Sequence, residues 1–118
     1  MKKILFVEDN QIYQDVIKEM LSKNGYEVSL ANDGEEGEAK VLSEKPDLIL
    51  TDIMMPKENG IIFLQKLKEN PKTKNIPTVV FSNYSSAKDI AKNFGANGFL
   101  LKSDTSDEEL LKTIQSLL

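Results

Sequence analysis

Five short apolar segments recur along the chain, and stretches in which apolar residues have helical spacing separate them. The segments are rich in Val, Ile, Leu and Phe, as buried β-strands are. They comprise residues 4–7, 28–30, 48–50, 79–81 and 99–101. Regular alternation of strands with helices predicts a parallel sheet with helices on both faces. We therefore expect one α/β domain over residues 1–118, built as a doubly wound (βα)5 parallel sheet.

The polarity of the segments indicates their order in the sheet. The first, third and fourth segments are continuously apolar, as central strands of a parallel sheet are. Residues 26–30 instead alternate between apolar and polar side chains, which is typical of an edge strand. This pattern favours the strand order 2-1-3-4-5, one of the two common orders of doubly wound sheets.

The stretches between the segments predict five helices of unequal quality. The stripe predicted for the first helix consists of Ile12, Val16, Ile17, Met20 and Leu21. Residues 33–44 predict a poorer helix, because Gly34 and Gly37 lie in it and few of its residues are apolar.

Composition excludes several classes of function. The chain has no His and no Cys, which excludes His-ligated metals, thiol nucleophiles and a phosphohistidine on this chain. Its net charge is −4 and its basic residues are all Lys, which argues against direct binding of nucleic acid. No apolar run is long enough to span a membrane. We expect a soluble, cytoplasmic protein that is a monomer or a weak dimer.

Polar side chains follow four of the predicted strands, where each apolar run ends. Glu8 and Asp9 follow the first run, Asp52 comes soon after the third, Ser82 follows the fourth and Lys102 follows the fifth. Parallel strands end at the same edge of a sheet, and ligands bind at that edge where the strand order reverses. With the order 2-1-3-4-5, this point lies between the first and third strands.

These residue types together suit phosphoryl transfer. Three carboxylates placed close together repel one another unless a cation joins them, and carboxylate oxygens suit Mg²⁺. A hydroxyl such as that of Ser82 can donate to a phosphoryl oxygen, and Lys102 can pair with another as a point charge. Asp52, at the centre, is left as the nucleophile, a role that carboxylates take in phosphoryl transfer.

Each residue taken alone has an ordinary interpretation. Glu8 and Asp9 could cap the next helix, and Asp52 could be a turn residue. Ser82 could be a satisfied hydroxyl, and Lys102 could be solvated. The functional interpretation is favoured by the coincidence that all of these groups fall just beyond the end of a predicted strand.

The chain resembles the receiver domains of bacterial two-component response regulators over its whole length. The matching stretches are ILFVED at residues 4–9, KPDLILTDIMMP at 45–56, Gly60, IPTVVFS at 76–82 and GANGFLLK at 95–102. The resemblance implies a flavodoxin-like fold. It also implies a phosphorylation-dependent signalling switch rather than a turnover enzyme, one that phosphorylates and dephosphorylates itself.

The resemblance assigns a role to each site residue. It implies that Asp52 accepts a phosphoryl group from the phosphohistidine of a sensor histidine kinase or phosphotransfer protein. The cofactor it implies is Mg²⁺, bound by Asp9, Asp52 and the backbone carbonyl of Met54, and by Glu8 through water. The remaining implied roles are Lys102 as the phosphate-binding lysine, and Ser82 and Phe99 as the switch pair that alters the surface of the fourth helix, fifth strand and fifth helix for an output partner.

Other possibilities stay open at this point. A Mg²⁺-dependent small-molecule phosphohydrolase typically has Asp-x-Asp after its first strand and a cap domain over its site. The first predicted strand here is followed by Glu8-Asp9, and we expect the 118 residues to leave no room for a cap beside the α/β domain. A binding module that has lost the chemistry would lack a key acid or the lysine, and neither is missing.

Lys102 is followed by Ser103, where relatives usually have Pro, so we expect the Lys102–Ser103 peptide bond to be trans. The sequence leaves open whether the chain stands alone or is part of a longer regulator.

Overall fold

The computed structural model describes residues 1–53 and 60–118, and in these ranges five strands alternate with five helices. The strands are β1 (Lys3–Val7), β2 (Glu27–Ala31), β3 (Leu48–Thr51), β4 (Thr78–Ser82) and β5 (Gly98–Leu101). The helices are α1 (Gln11–Lys23), α2 (Gly34–Glu44), α3 (Gly60–Glu69), α4 (Ala87–Asn93) and α5 (Asp107–Leu117). None of these helices combines the length and the apolar character that crossing a membrane requires.

The five strands form one parallel sheet in the order β2-β1-β3-β4-β5, which confirms the predicted order and fold class. Strands β1, β3 and β4 are buried almost throughout, whereas β2 is more exposed and lies at an edge. The strands extend a little beyond the apolar segments, because Thr51 and Ser82 still pair with Val7 and Leu101. In the part of the chain that is described, no peptide bond is cis, so the Lys102–Ser103 bond is trans as predicted.

The core lies on both faces of the sheet, because alternate residues of each strand point to opposite sides. On one face, Ile4 and Phe6 of β1 pack with residues of α1 and α5. On the other face, Leu5 and Val7 pack with residues of α2 and α3, and a neighbouring cluster joins β4 to α3 and α4. Each face of the sheet is therefore covered by helices, and its edge at the carboxyl ends of the strands remains available for a site.

Helix α1 is rotated relative to the predicted stripe. Ile12 and Val16 are 74% and 54% exposed, so the expectation that both belong to the apolar stripe facing the core is wrong. The buried face instead carries Gln14, Ile17 and Leu21, which are separated by three and four residues. The apolar pattern gave the wrong face because a polar residue, Gln14, occupies one of the inward positions of α1, close to the end of β1.

Helix α2 is regular despite its two glycines, and Gly37 has a packing role. A Cβ atom at Gly37 would lie 3.1 Å from the ring of Phe63 and 3.2 Å from Val7. The small residue therefore lets α2 approach both the sheet and α3. The composition of residues 33–44 predicted a poorer helix, but the structure has a helix there, and the glycine at position 37 is explained by close packing.

Gly60 begins α3 against the backbone that carries Asp52. Its N–H donates to the carbonyl of Ile53 at 2.7 Å. A Cβ atom here would lie 2.3 Å from the carbonyl oxygen of Asp52 and 2.4 Å from the Cα of Ile53. Because both obstacles are backbone atoms, they cannot turn aside as a side chain would.

We expect Gly60→Ala to lower the free energy of unfolding by about 2 kcal/mol, because the added methyl group must push the Asp52–Ile53 backbone away. Gly98→Ala is the matched control, since its Cβ would lie in ordinary contact, 3.6 Å from Val79. We expect the control to change stability by less than about 0.5 kcal/mol. Urea unfolding of the two variants measures both values, and equal stabilities would contradict this explanation.

Candidate functional site

The end of β1 brings two acidic side chains to the carboxyl edge of the sheet. Glu8 is 1% exposed, whereas Asp9 is exposed. Neither caps α1. That position is taken by Asn10, whose side-chain oxygen accepts hydrogen bonds from the N–H groups of Ile12 and Tyr13 at 2.9 and 3.3 Å. The helix-cap interpretation of Glu8 and Asp9 is therefore wrong.

Asp52 lies at the end of β3, beside the end of β1. Its backbone N–H donates to the carbonyl of Val7 at 3.0 Å, which ties it to the neighbouring strand. Its Oδ1 accepts from the N–H of Ile53 at 2.7 Å, and the residue is 6% exposed. This hydrogen bond fixes one oxygen of the carboxylate, and the other oxygen faces Lys102.

The carboxylates of Glu8, Asp9 and Asp52 form one cluster, in which an oxygen of each lies within 4.8 Å of the others. The ammonium of Lys102, from the residue after β5, donates to Oε1 of Glu8 and to Oδ2 of Asp52, the latter at 3.0 Å. The side chain of Lys102 is only 2% exposed. A buried cation thus joins two of the three repelling carboxylates, and residues from three strand ends meet at one point.

Burial and charge act in opposite directions on these groups. Burial is the largest influence on Glu8 and raises the pKa of its carboxyl to about 6, while the hydrogen bond from Lys102 opposes the rise. Burial alone would lower the pKa of Lys102, but its hydrogen bonds to Glu8 and Asp52 outweigh that effect and raise it. The lysine is therefore firmly charged, and Glu8 keeps its charge largely because Lys102 is beside it.

The cluster has the chemistry of a Mg²⁺ site. Its ligand atoms are all carboxylate oxygens, the donor type that hard divalent cations prefer. With all groups ionised, three carboxylates and one ammonium leave two net negative charges, which a divalent cation would balance. Asp9 is the most exposed of the three, so the cluster is open to solvent on that side. The predicted carbonyl ligand, Met54, lies outside the described residues.

The two predicted switch residues lie on adjacent strands. Ser82 ends β4, is fully buried, and its hydroxyl oxygen accepts from the N–H of Tyr84 at 3.2 Å. The backbone N–H of Lys102 donates to the carbonyl of Ser82 at 2.7 Å, so the two predicted phosphate-binding residues are joined directly. Phe99 in β5 is half-buried and packs against the cluster that includes Ala87 and Ala91 of α4.

Comparison with known proteins agrees with this arrangement. A family model for the response regulator receiver domain matches residues 4–115. The chain belongs to this family. Protein PilH of Pseudomonas aeruginosa is 35% identical, in an alignment that covers 100% of this chain and 98% of PilH. The transcriptional regulatory protein CpxR of Klebsiella pneumoniae is 36% identical, with 100% of this chain and 50% of CpxR covered.

Solved structures of receivers show the same fold. The response regulator TrrA of Thermotoga maritima, crystallised in complex with Mg²⁺-BeF, aligns with a TM-score of 0.90 and 31% identity over 100% of each chain. This receiver spans about half the length of several curated relatives that it matches, including CpxR and the transcriptional regulator RpaA of Synechocystis. Receivers are generally signalling switches rather than turnover enzymes, and they act with histidine kinases or phosphotransfer proteins.

The structure adds two α1 residues to the site of this receiver that the sequence did not single out. Gln14 is buried, and its amide donates to the carbonyl of Glu8 at 2.5 Å and to the side chain of Asn32 at 2.8 Å. It therefore fixes the loop that carries the acidic pair. Its spacing from Ile17 and Leu21 was a usable signal, since a polar residue on a buried face requires a hydrogen-bond partner.

Tyr13 is the second added residue. Together with Glu8, Asp52, Lys102 and their neighbours, it lines a cleft of about 210 Å³ at the carboxyl edge of the sheet. Asn83 and Tyr84, from the loop after β4, also line the cleft, and Tyr84 is 56% exposed.

In protein free of divalent metal, we expect the Glu8 carboxyl to titrate at about pH 6. Asp52→Asn should lower this pKa because it removes a nearby negative charge. Lys102→Met should raise it because it removes a hydrogen bond and a positive charge. Carbon-detected NMR of side-chain carboxyl groups measures the titration.

The control for this titration is Glu19→Gln, which removes an exposed charge elsewhere on α1 and should leave the pKa of Glu8 unchanged. A Glu8 pKa that rises in Asp52→Asn, or that falls in Lys102→Met, would contradict the electrostatic description of the cluster.

Proposed function

We propose that this receiver is a phosphorylation-dependent switch in which Asp52 accepts a phosphoryl group from the phosphohistidine of a sensor histidine kinase or phosphotransfer protein. The observation that carries the proposal is the buried contact of Lys102 with both Glu8 and Asp52. An ammonium held beside a candidate nucleophile, within a carboxylate cluster, is an arrangement suited to the charge that develops in phosphoryl transfer.

The transfer itself exchanges one bond for another. A carboxylate oxygen of Asp52 forms a bond to phosphorus while the bond between phosphorus and the imidazole nitrogen of the donor breaks. The imidazole nitrogen keeps the electron pair of that bond. No residue of this chain needs to remove a proton, because the Asp52 nucleophile is already an anion. This agrees with a site that has a lysine and a serine but no histidine.

The acidic cluster would hold Mg²⁺ through Asp9 and Asp52, with Glu8 acting through water and the carbonyl of Met54 as a further ligand. The bound ion supplies positive charge to the phosphoryl oxygens. Support comes from the all-oxygen donor set and from the two uncompensated negative charges of the cluster. The TrrA structure in complex with Mg²⁺-BeF supports the same cofactor by similarity.

Lys102 and Ser82 would bind the transferred group. The ammonium of Lys102 already lies 3.0 Å from the Asp52 carboxylate, so a short displacement brings it to a phosphoryl oxygen. The Ser82 hydroxyl would leave the N–H of Tyr84 and donate to a second oxygen. Phe99 would then turn inward and alter the surface formed by α4, β5 and α5, where an output partner binds.

Asp52→Asn should abolish phosphorylation by acetyl phosphate in the presence of Mg²⁺, because the amide is a far weaker nucleophile than the carboxylate. Intact-mass analysis measures the labelled fraction. Asp15→Asn, which changes an exposed aspartate of α1, is the matched control and should be labelled like the parent. Chelation of the metal should also prevent labelling. If Asp52→Asn is labelled as fully as the parent, the acceptor is another residue.

A further inference from the structure

The ammonium of Lys102 touches an aromatic ring as well as two carboxylates. Its Nζ lies 4.4 Å from the centroid of the Tyr13 ring and 5.9 Å from that of Phe81. The first distance is well within the range of an attractive cation–π contact. In the described part of the chain, its hydrogen-bond acceptors are the oxygens of Glu8 and Asp52. An ammonium has three N–H donors, so the ring is the next source of negative potential available to it.

The Tyr13 ring is held in place by the hydrophobic core and by the start of α1. It meets the Phe81 ring edge to face, with centroids 6.3 Å apart and planes at 89°, and it packs against the core cluster on that face of the sheet. Its backbone N–H is bound by the Asn10 cap at the start of α1. A ring fixed at both its backbone and its edge provides a stationary surface for the lysine.

The ring differs from the carboxylates in what it allows Lys102 to do. The oxygens that now bind the ammonium belong to the same acids that are proposed to surround Mg²⁺, so the cation and the lysine compete for them. The ring face attracts the ammonium without being a ligand of the cation and without carrying a negative charge. It can therefore keep Lys102 in the cleft after the carboxylates are engaged elsewhere.

We propose that Tyr13 is a positioning residue, whose ring holds the ammonium of Lys102 within reach of the phosphoryl group on Asp52. The inference rests on the proposed function, and it assigns Tyr13 no contact with the phosphoryl group itself. It concerns the ring and not the hydroxyl, because the contact is between Nζ and the ring face. An aliphatic side chain of similar size would fill the same space but would not attract the ammonium.

The test compares the affinity of three variants and of the parent for beryllofluoride, a phosphoryl mimic. Binding is measured by NMR titration at saturating Mg²⁺. Tyr13→Phe keeps the ring, and Tyr13→Leu removes it. Tyr26→Leu removes an equally half-buried tyrosine that packs against the same core cluster but has no contact with Lys102. If Tyr13→Leu does not fold, Tyr13→Met replaces it, because its flexible chain fills irregular space.

We expect Tyr13→Leu to bind beryllofluoride about tenfold more weakly than the parent, the effect of losing one desolvated cation–π contact. Tyr13→Phe and Tyr26→Leu should stay within about twofold of the parent, since both keep a ring beneath the ammonium. The proposal is overturned if Tyr13→Leu binds as tightly as the parent. It is also overturned if Tyr13→Phe is as weak as Tyr13→Leu, since the hydroxyl would then carry the effect.

A spectroscopic signature separates positioning from general packing. Protons on the Lys102 ε-carbon should be shifted upfield by the ring in the parent and in Tyr13→Phe, and this shift should be lost in Tyr13→Leu. The upfield shift should persist when Mg²⁺ and beryllofluoride are bound, and its loss on binding would overturn the proposal. If the parent itself fails to bind beryllofluoride, the proposed function is wrong and the positioning role is wrong with it. Normal binding by the parent and by Tyr13→Leu would refute the positioning role alone.

Discussion

The contact of one buried ammonium with two buried carboxylates is the constraint on which the rest of this site depends. Lys102, Glu8 and Asp52 come from the ends of β5, β1 and β3, and each would be costly to bury alone. The parallel sheet brings these three strand ends to one edge, and there the charges satisfy one another, which makes their burial tolerable. The raised pKa of Lys102 is a consequence of this compensation, whereas the pKa of Glu8 is raised by burial and the contact with Lys102 limits the rise.

The compensation of charge is incomplete, and under the proposed function this would make the site responsive to a cation and to phosphorylation. Two negative charges remain when all groups are ionised, which favours a divalent cation. A cation that binds these acids, and a phosphoryl group that joins Asp52, would each change the partners available to Lys102. Since Lys102 is also bound through its backbone to Ser82, a change at Asp52 is connected directly to the end of β4 and the neighbouring β5. Under the proposed function, the rearrangement of this lysine would couple phosphorylation of Asp52 to the proposed output surface.

Much of the fold and of the site could be predicted from the sequence, because both follow from local patterns: short apolar segments and the polar residues that come directly after them. The apolar segments identified all five strands, and their polarity, taken with the common orders of doubly wound sheets, favoured the order that the structure has. The first polar residues after the segments identified Glu8, Asp9, Ser82 and Lys102. Residues at the same sheet edge necessarily meet, so the topology alone brought the acids together. The features that the sequence analysis missed depend on the rotation of a helix about its axis and on side-chain packing, which the pattern of apolar residues does not specify.

Helix α1 shows why. The exposed Ile12 and Val16 look like core residues in the sequence, whereas the inward face carries Tyr13 and Gln14, which the apolar pattern passes over. The capping role of Asn10 likewise depends on where the helix begins and not on composition. These three polar or aromatic residues all serve the site: Asn10 frees the acids from capping, Gln14 fixes their loop and Tyr13 lies beneath the lysine.

The most direct measurement is a pair of crystal structures of this chain, one free of metal and one grown with Mg²⁺ and beryllofluoride. The account predicts that, in the second structure, beryllofluoride is attached to Asp52 and that Lys102 Nζ binds one of its fluorine atoms. The same structure should show the ammonium still over the Tyr13 ring and the Ser82 hydroxyl turned toward a second fluorine. Beryllofluoride bound elsewhere, or a Lys102 side chain directed into solvent when Asp52 carries it, would contradict the central claim.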